Sequence, residues 1–465
     1  MKRLVADLTR DPVSLAGAAL ATVAAVLILS LTAMGLLGFR GGPYLGIIAF
    51  VVLPTIFVVG LLLIPAGAWR ARRRARIAAE HGEKPPPLPV IDLNDARVRT
   101  IALAVVALTV VNLAILGLAT YKAVQVMDTP AFCGSCHSVM APELTTYQRS
   151  PHARVACVDC HIGPGAPWFV KSKLSGAWQL VSVTFGLYSR PIPAPVHDLR
   201  PARDTCEQCH WPTKLVGDRL KVITRHLDDE ANSARKTVIL LRVGGGGAAG
   251  IHRHVQTGVT VRYLADPSRE KIGTVELTLP DGTRRTYATK DGPSAPSPGS
   301  DWRTMDCVDC HNRPTHQYGS PEGEIDAAID DGRIDRALPF VRREGLRLLK
   351  ADYPTHEAAR EGIRRGLVAF YSADSASWPG RKGAVEAAAT ALGDIYTTNV
   401  WPTMRIAWGT YPTFLGHDAA PGCWRCHDEE HRTADGRTIS QDCDLCHALL
   451  ADGEADPAIL KMIER

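Results

Sequence analysis

Hydrophobic residues in the first quarter of this chain come in long unbroken blocks, and beyond it they come at intervals. Leu15 to about Leu37 is an uncharged run of Ala, Val, Leu and Gly; Tyr44 to Trp69 is a second block and Ile101 to Thr120 a third. A helix rising about 1.5 Å per residue crosses a hydrocarbon layer of about 30 Å with runs of this length. Arg40 and Pro43 mark a tight loop after the first block. Pro54 falls inside the second, where neighbouring helices can satisfy the carbonyl it frees. The first block lacks a clean small-x-small site at its end, so it is read as an anchor rather than a cleaved leader. After the second block come Arg70, Arg72, Arg73, Arg74 and Arg76, then Pro85, Pro86, Pro87 and Pro89. Arginine-rich loops stay in the cytoplasm. The expectation is therefore a three-span anchor over residues 1–122 in the bacterial inner membrane, with a cytoplasmic N-terminus and everything after Lys122 in the periplasm.

Past the anchor the pattern changes several times. Residues 123–225 read as loops. Over 226–306 a small β insertion is expected, because Thr237–Val243, Val259–Leu264, Thr274–Leu279 and Thr286–Ala288 cluster or alternate β-formers, with Asp281-Gly282 as a hairpin turn. A short segment, 307–322, precedes a helical one, 323–400. There Arg336–Ala351, His356–Tyr371 and Gly383–Thr398 place apolar residues three and four apart. Residues 401–465 return to loops.

Composition sharpens this picture in one respect. Aromatic residues make up only 6% of the chain, against 40 glycines and 32 prolines, which is too little apolar bulk to fill a conventional core throughout. Something else must fill the loop-rich parts. The net charge of +5 resides in the segments assigned to the cytoplasm, so the remainder is close to neutral and offers no basic nucleic-acid surface.

The cysteines name the filling. All 12 fall in six CxxCH motifs: Cys133, Cys136 and His137; Cys157, Cys160 and His161; Cys206, Cys209 and His210; Cys307, Cys310 and His311; Cys423, Cys426 and His427; Cys443, Cys446 and His447. Two thiols one short turn apart add across the two vinyl groups of a haem, and the adjacent histidine reaches the iron. Structural zinc does not demand a histidine after every second cysteine, and a disulfide framework needs none. Six covalently bound haems c are expected, on the periplasmic side where such haems are attached. Their propionates would make the loaded domain acidic.

Each iron leaves one axial position for another ligand. Of the 16 histidines, six belong to the motifs and His81 lies in the cytoplasmic loop, leaving nine. His152, His316, His417, His431 and one or both of His252 and His254 are the expected distal ligands. On a strand His252 and His254 would share a face, close to one haem or to two. His197 and His226 stay open, and His356 reads as a surface histidine on a polar helical face. Met140, three residues after His137, is either a thioether ligand or a residue packed on porphyrin. More candidates than positions favours low-potential, bis-histidine sites.

An apolar helix, then CGSCH, then SPHARVACVDCH, then a lysine-bearing segment resembles the NapC/NirT family of membrane-anchored quinol dehydrogenases over roughly residues 100–213, with a fourth family-like haem at Cys307–His311. The resemblance implies a first haem at the membrane surface beside a quinol site. It also implies a methionine ligand shortly after the first motif and a distal role for His152 at another haem. The family methionine falls two residues after the motif histidine, where this chain has Val139. Lys171 and Lys173 match the family's quinol lysine, but no Asp or Glu lies between Asp159 and Asp198, so Glu143 is the candidate proton acceptor. Ala166–Leu187, with Trp168, Phe169, Trp178 and Phe185, suits a membrane interface.

The expectation is thus a membrane-anchored multihaem cytochrome c: three transmembrane helices, then a loop-rich haem domain with a small β insertion and a helical segment. It would oxidise menaquinol or ubiquinol from the bilayer and feed periplasmic c-type cytochromes or a reductase. The alternatives are a haem-wire subunit without its own quinol site and a terminal multihaem reductase.

Overall fold

The computed structural model describes residues 11–36, 52–80, 92–135, 137–163, 166–195, 201–244, 250–297, 301–417 and 421–463. Arg40, Pro43, His81, the prolines at 85–89, Cys136 and His197 lie outside them. The chain forms two units, Met1–Ser135 and Cys136–Arg465.

The first unit holds three long apolar helices, α1 (Pro12–Leu36), α2 (Leu53–Glu80) and α3 (Ala96–Met127). All three are long and apolar enough to cross a membrane. Helix α2 does not stop at Trp69 but runs on through the arginine cluster. Pro54 lies in its first turn, where a missing N–H costs nothing, and the internal proline is Pro65. Helices α1 and α2 pack antiparallel through small residues. A Cβ on Gly60 would come within 2.6 Å of the Ala21 nitrogen, and one on Gly17 within 2.7 Å of the Gly60 carbonyl. Apolar tails gain little by joining helices in lipid, so close backbone approach of this kind supplies the attraction. Ser14 Oγ donates to the Ile64 carbonyl at 2.9 Å, and Arg70 pairs with Asp11 at 3.4 Å at the end of the hairpin. Asp95 caps α3 by accepting from the Arg97 amide at 2.8 Å. Much of α3, including Leu103, Val106, Leu108 and Leu113, is exposed, as a lipid-facing helix must be.

The second unit buries three apolar clusters. The helical one is built from α9 (Pro321–Asp330), α10 (Val341–Leu349), α11 (His356–Ser372) and α12 (Trp378–Asn399). Ile325, Leu349, Ile363, Leu367 and Leu392 meet there at full burial. The α10 face is stitched to the rest by Arg342, which bonds Asp326 at 2.7 Å and Asp228 at 2.7 Å. The buried Asn232 accepts from the Arg342 amide and donates to the Arg336 and Leu338 carbonyls.

The β residues form two antiparallel sheets. One has the order β1 (Gly217–His226), β2 (Ala234–Gly244), β7 (His447–Glu454); the other has the order β5 (Arg284–Ala288), β4 (Ile272–Thr278), β3 (Thr260–Ala265), β6 (Arg303–Thr304). Strands β2 to β5 fall where their β-formers cluster. β1 lies in the stretch expected as loop, and β7 follows directly on the last motif. Their residues are largely exposed, so the usual alternation of buried and open positions is absent, and pairing with β2 makes them strands. Residues 123–225 are also more helical than expected, with α4 (Pro130–Cys133), α5 (His137–Arg149), α6 (Cys157–His161), α7 (Ala166–Phe185) and α8 (Ala202–Cys206). His252 and His254 stand not on a strand but on the 3-10 turn Ile251–Val255.

Candidate functional site

Five motif histidines each face a histidine from elsewhere in the chain. His161 faces His316, with ring centroids 6.2 Å apart; His210 faces His152 at 5.9 Å; His311 faces His252 at 6.4 Å; His427 faces His254 at 5.9 Å; His447 faces His417 at 6.2 Å. An iron held between two imidazoles at about 2 Å per metal–nitrogen bond puts the ring centres roughly 6 Å apart. The spacing fits an axial pair. Ring orientation fits as well. Nδ1 of His252 faces the Val243 carbonyl at 3.0 Å, that of His254 the Ile251 carbonyl at 2.9 Å and that of His427 the Ser440 carbonyl at 2.7 Å. A carbonyl only accepts, so Nδ1 carries the proton and Nε2 keeps its lone pair for a metal. Burial pushes His254 and His316 below the ordinary histidine value.

The pairs do not follow sequence proximity. His152 precedes the second motif but meets the third, His316 follows the fourth but meets the second, and His417 precedes the fifth but meets the sixth. His252 and His254 sit two residues apart and serve two different motifs, one each.

Neighbouring motifs also touch in chain order. Helix α8, which ends in Cys206, packs beside α6 and beside the turn Cys307–Asp309. The Ala202 amide donates to Asp306 at 3.3 Å. Arg425, inside CWRCH, donates to the Asp309 carbonyl at 2.5 Å and so ties the fifth motif to the fourth. Trp424 beside it stacks on His417, the partner of His447, with centroids 4.4 Å apart and planes at 11°. Nothing in the sequence signalled Trp424 or Arg425, which occupy the unconstrained positions of their motif.

Three histidines are placed elsewhere. His431 meets no motif histidine. It is buried, with Nδ1 2.9 Å from the Asp428 carboxylate and Nε2 3.1 Å from the Ile272 carbonyl, so both nitrogens are already engaged by the protein. Its expected place as a distal ligand is corrected to that of a structural tie between the Asp428 loop and β4. His356 is half-buried rather than at the surface, and its Nε2 donates to the Val400 carbonyl at 2.7 Å. His226 is buried beside Asp326 and Asp330.

The candidate quinol residues fall on two helices. Glu143 lies on α5 and accepts from Arg313 at 2.9 and 3.0 Å, while His316 Nδ1 sits 3.1 Å from its carboxylate. Its carboxylate is thus engaged by an arginine and a histidine. Lys171 and Lys173 lie on α7, the former with its ammonium 5.2 Å from the Trp168 ring centre. That helix exposes Leu174, Trp178, Val181 and Phe185. Val139, at the family's methionine position, is buried against Met404, Ile406 and Tyr411, whereas Met140 is half-buried. The His137 side chain lies outside the described residues.

The described cysteines are all free of disulfides, and among the described residues no three His, Cys, Asp or Glu converge as a metal-ion cage. Thiol pairs beside opposed imidazoles, carried behind three apolar helices, define a membrane-anchored multihaem cytochrome c. The match is specific enough to go one step further. The chain belongs to the NapC/NirT cytochrome c family, whose N-terminal region matches residues 95–191. It is 39% identical over 457 residues to the cytochrome c-type protein ImcH of Geobacter sulfurreducens, covering 96% of this chain and 89% of that protein. Shorter matches reach the cytochrome c-type protein NrfH of Wolinella succinogenes (32% over 84 residues, 17% of this chain and 47% of NrfH) and the cytochrome c-type protein TorC of Escherichia coli K12 (38% over 81 residues, 16% and 20%). No solved structure matches the chain.

Proposed function

We propose that this protein carries six covalently bound haems c, oxidises membrane quinol at the periplasmic face and delivers the electrons to periplasmic c-type cytochromes or a reductase. The observation that carries this reading is the set of five opposed histidine pairs, each joining a CxxCH histidine to a second imidazole at iron-bridging distance. Bound haem supplies one-electron chemistry; the chain supplies position, ligation and tuning. His152, His316, His252, His254 and His417 complete sites three, two, four, five and six, and Met140 is the candidate partner at the first. With both axial positions filled, five sites have no place for a substrate, which argues against a terminal reductase. Contacts between successive motifs line the sites up in chain order from the second to the sixth. Adjacent cofactors in a fixed order are what a relay away from the membrane requires.

At the entry end, α7 presents Leu174, Trp178 and Phe185 to an apolar medium, and Lys171 and Lys173 on the same helix are the candidate contacts for a quinol headgroup. The engagement of Glu143 with Arg313 favours a second reading, a haem-wire subunit whose quinol site lies in a partner. One experiment separates the two. The purified protein is mixed with a menaquinol analogue and its haem absorbance followed. Rapid reduction, lowered about tenfold (roughly 1.4 kcal/mol) in a Lys171→Ala, Lys173→Ala variant, supports quinol oxidation. Full haem content with no reduction supports the wire.

A further inference from the structure

Glu143 is the residue whose surroundings the functional reading leaves unexplained. It sits two turns into α5, the helix that opens with the first motif's His137, yet its carboxylate is aimed at the second site. His316, the partner of His161, places Nδ1 3.0 Å from the Glu143 carbonyl and 3.1 Å from its carboxylate. Arg313 closes the other side with two bonds to the carboxylate and donates Nε to the His316 carbonyl at 2.6 Å. The guanidinium lies 4.1 Å from the Tyr411 ring centre and 5.3 Å from that of Tyr318. The Tyr318 hydroxyl adds a longer bond of 3.4 Å to Glu143. Little of this cluster meets water: side-chain exposure is 17% for Glu143, 13% for Arg313 and 26% for His316.

His316 gives Nδ1–H to a main-chain carbonyl, that of Glu143, and differs from the other ligand histidines in having a carboxylate beside the same nitrogen. His252, His254 and His427 give Nδ1–H to neutral carbonyls, and Nδ1 of His152 and of His447 is buried without a protein partner. Among the described residues a carboxylate meets the outer nitrogen of a ligand histidine only at the second site. A carboxylate accepting from an imidazole N–H moves negative charge onto the ring, makes the opposite nitrogen a stronger donor and so favours the more oxidised metal.

We propose that Glu143 is a positioning residue for the second haem site. Its main-chain carbonyl fixes the tautomer of His316, and its carboxylate beside the same nitrogen lowers the reduction potential of that one haem, with Arg313 moderating the effect. This rests on the reading of His316 as an iron ligand, and the test keeps the two apart.

The test uses the full-length holoprotein, with spectroelectrochemical titration and low-spin electron paramagnetic resonance as readouts. Glu143→Gln keeps the volume and an acceptor but removes the charge. Arg313→Met leaves the carboxylate without its counter-charge. The expectation is that a single haem component moves to higher potential in Glu143→Gln and to lower potential in Arg313→Met, with its resonance shifting in step. Unmoved titrations overturn the proposal, as does movement in the same direction in both variants, which marks packing damage rather than charge. If either variant loads haem poorly, Glu143→Asp is read instead: a shorter carboxylate still bonded to Nδ1 leaves the component near its parent position, and a component displaced as far as in a variant without the carboxylate overturns the proposal. His316→Ala tests the ligand reading by itself. One low-spin signal should become high-spin; a parental spectrum removes His316 as a ligand and the proposal with it.

Discussion

His252 and His254, two residues apart, face the histidines of two different motifs. The turn Ile251–Val255 points His252 at His311 and His254 at His427. His252→Ala and His254→Ala should therefore each abolish one low-spin signal, not the same one, and the double variant should lose two; resonance spectra of the three proteins check this. His431 behaves otherwise. Its replacement by Ala should leave every haem spectrum intact and cost about 1–3 kcal/mol in thermal unfolding, because a buried partner of Asp428 is lost. The CxxCH histidines were legible because attachment chemistry fixes their spacing. Their partners were legible only as a pool, since nearness in sequence says nothing of ring direction, and that is why His431 beside the fifth motif was misplaced. His226 gives a pH dependence. Burial holds its value below that of the unfolded chain, so the unfolded state takes up the proton first as pH falls. Stability from this residue is fully present above about pH 6.5 and falls as pH drops below it. His226→Gln should flatten the slope of melting temperature against pH between about 7 and 5.

Elements differ in how openly their sequences announce them. The three apolar helices and α11 and α12 stood out because long runs and regular spacing are local properties. β1 and β7 did not, because a strand exposed on both faces carries no alternation and is made by its neighbour. Helix α7 shows a further limit. Its apolar content was plain, yet which residues face outward was not, and the structure exposes Leu174, Trp178 and Phe185 together. Replacing these three by Ser should slow reduction by a quinol analogue several-fold while reduction by dithionite reaches the same spectrum. In the anchor, Gly60→Leu should break the α1–α2 hairpin, since a Cβ there already meets the backbone of Ala21 at 2.6 Å. The readout is the yield of membrane-inserted protein. At the helical core, Arg342→Ala leaves the buried Asp326 uncompensated, and a loss of about 3–5 kcal/mol is expected in unfolding experiments.

At the scale of the whole molecule, order comes from two sources. Residues 321–400 bury an ordinary apolar core of their own. Around the motifs, opposed histidines bring α6 beside the loop after the fourth motif and the turn Ile251–Val255 beside the fifth. Blocking attachment at one site, with Cys206→Ala and Cys209→Ala, should leave 321–400 resistant to protease while residues 137–230 become sensitive. Mass spectrometry of a timed digest reads both outcomes. The crossing of the pairs also sets a timetable. Synthesis from the N-terminus makes His161 long before His316 and His254 long before His427. The third site has both imidazoles as soon as His210 emerges, while the second waits until His316, after the fourth is already complete at His311. The fifth and sixth close only with the last few dozen residues. The site expected nearly first in the electron path is thus only the third of the five to gain its second imidazole, and a translation arrest just before residue 316 would yield a chain that carries the second motif without the histidine that faces it.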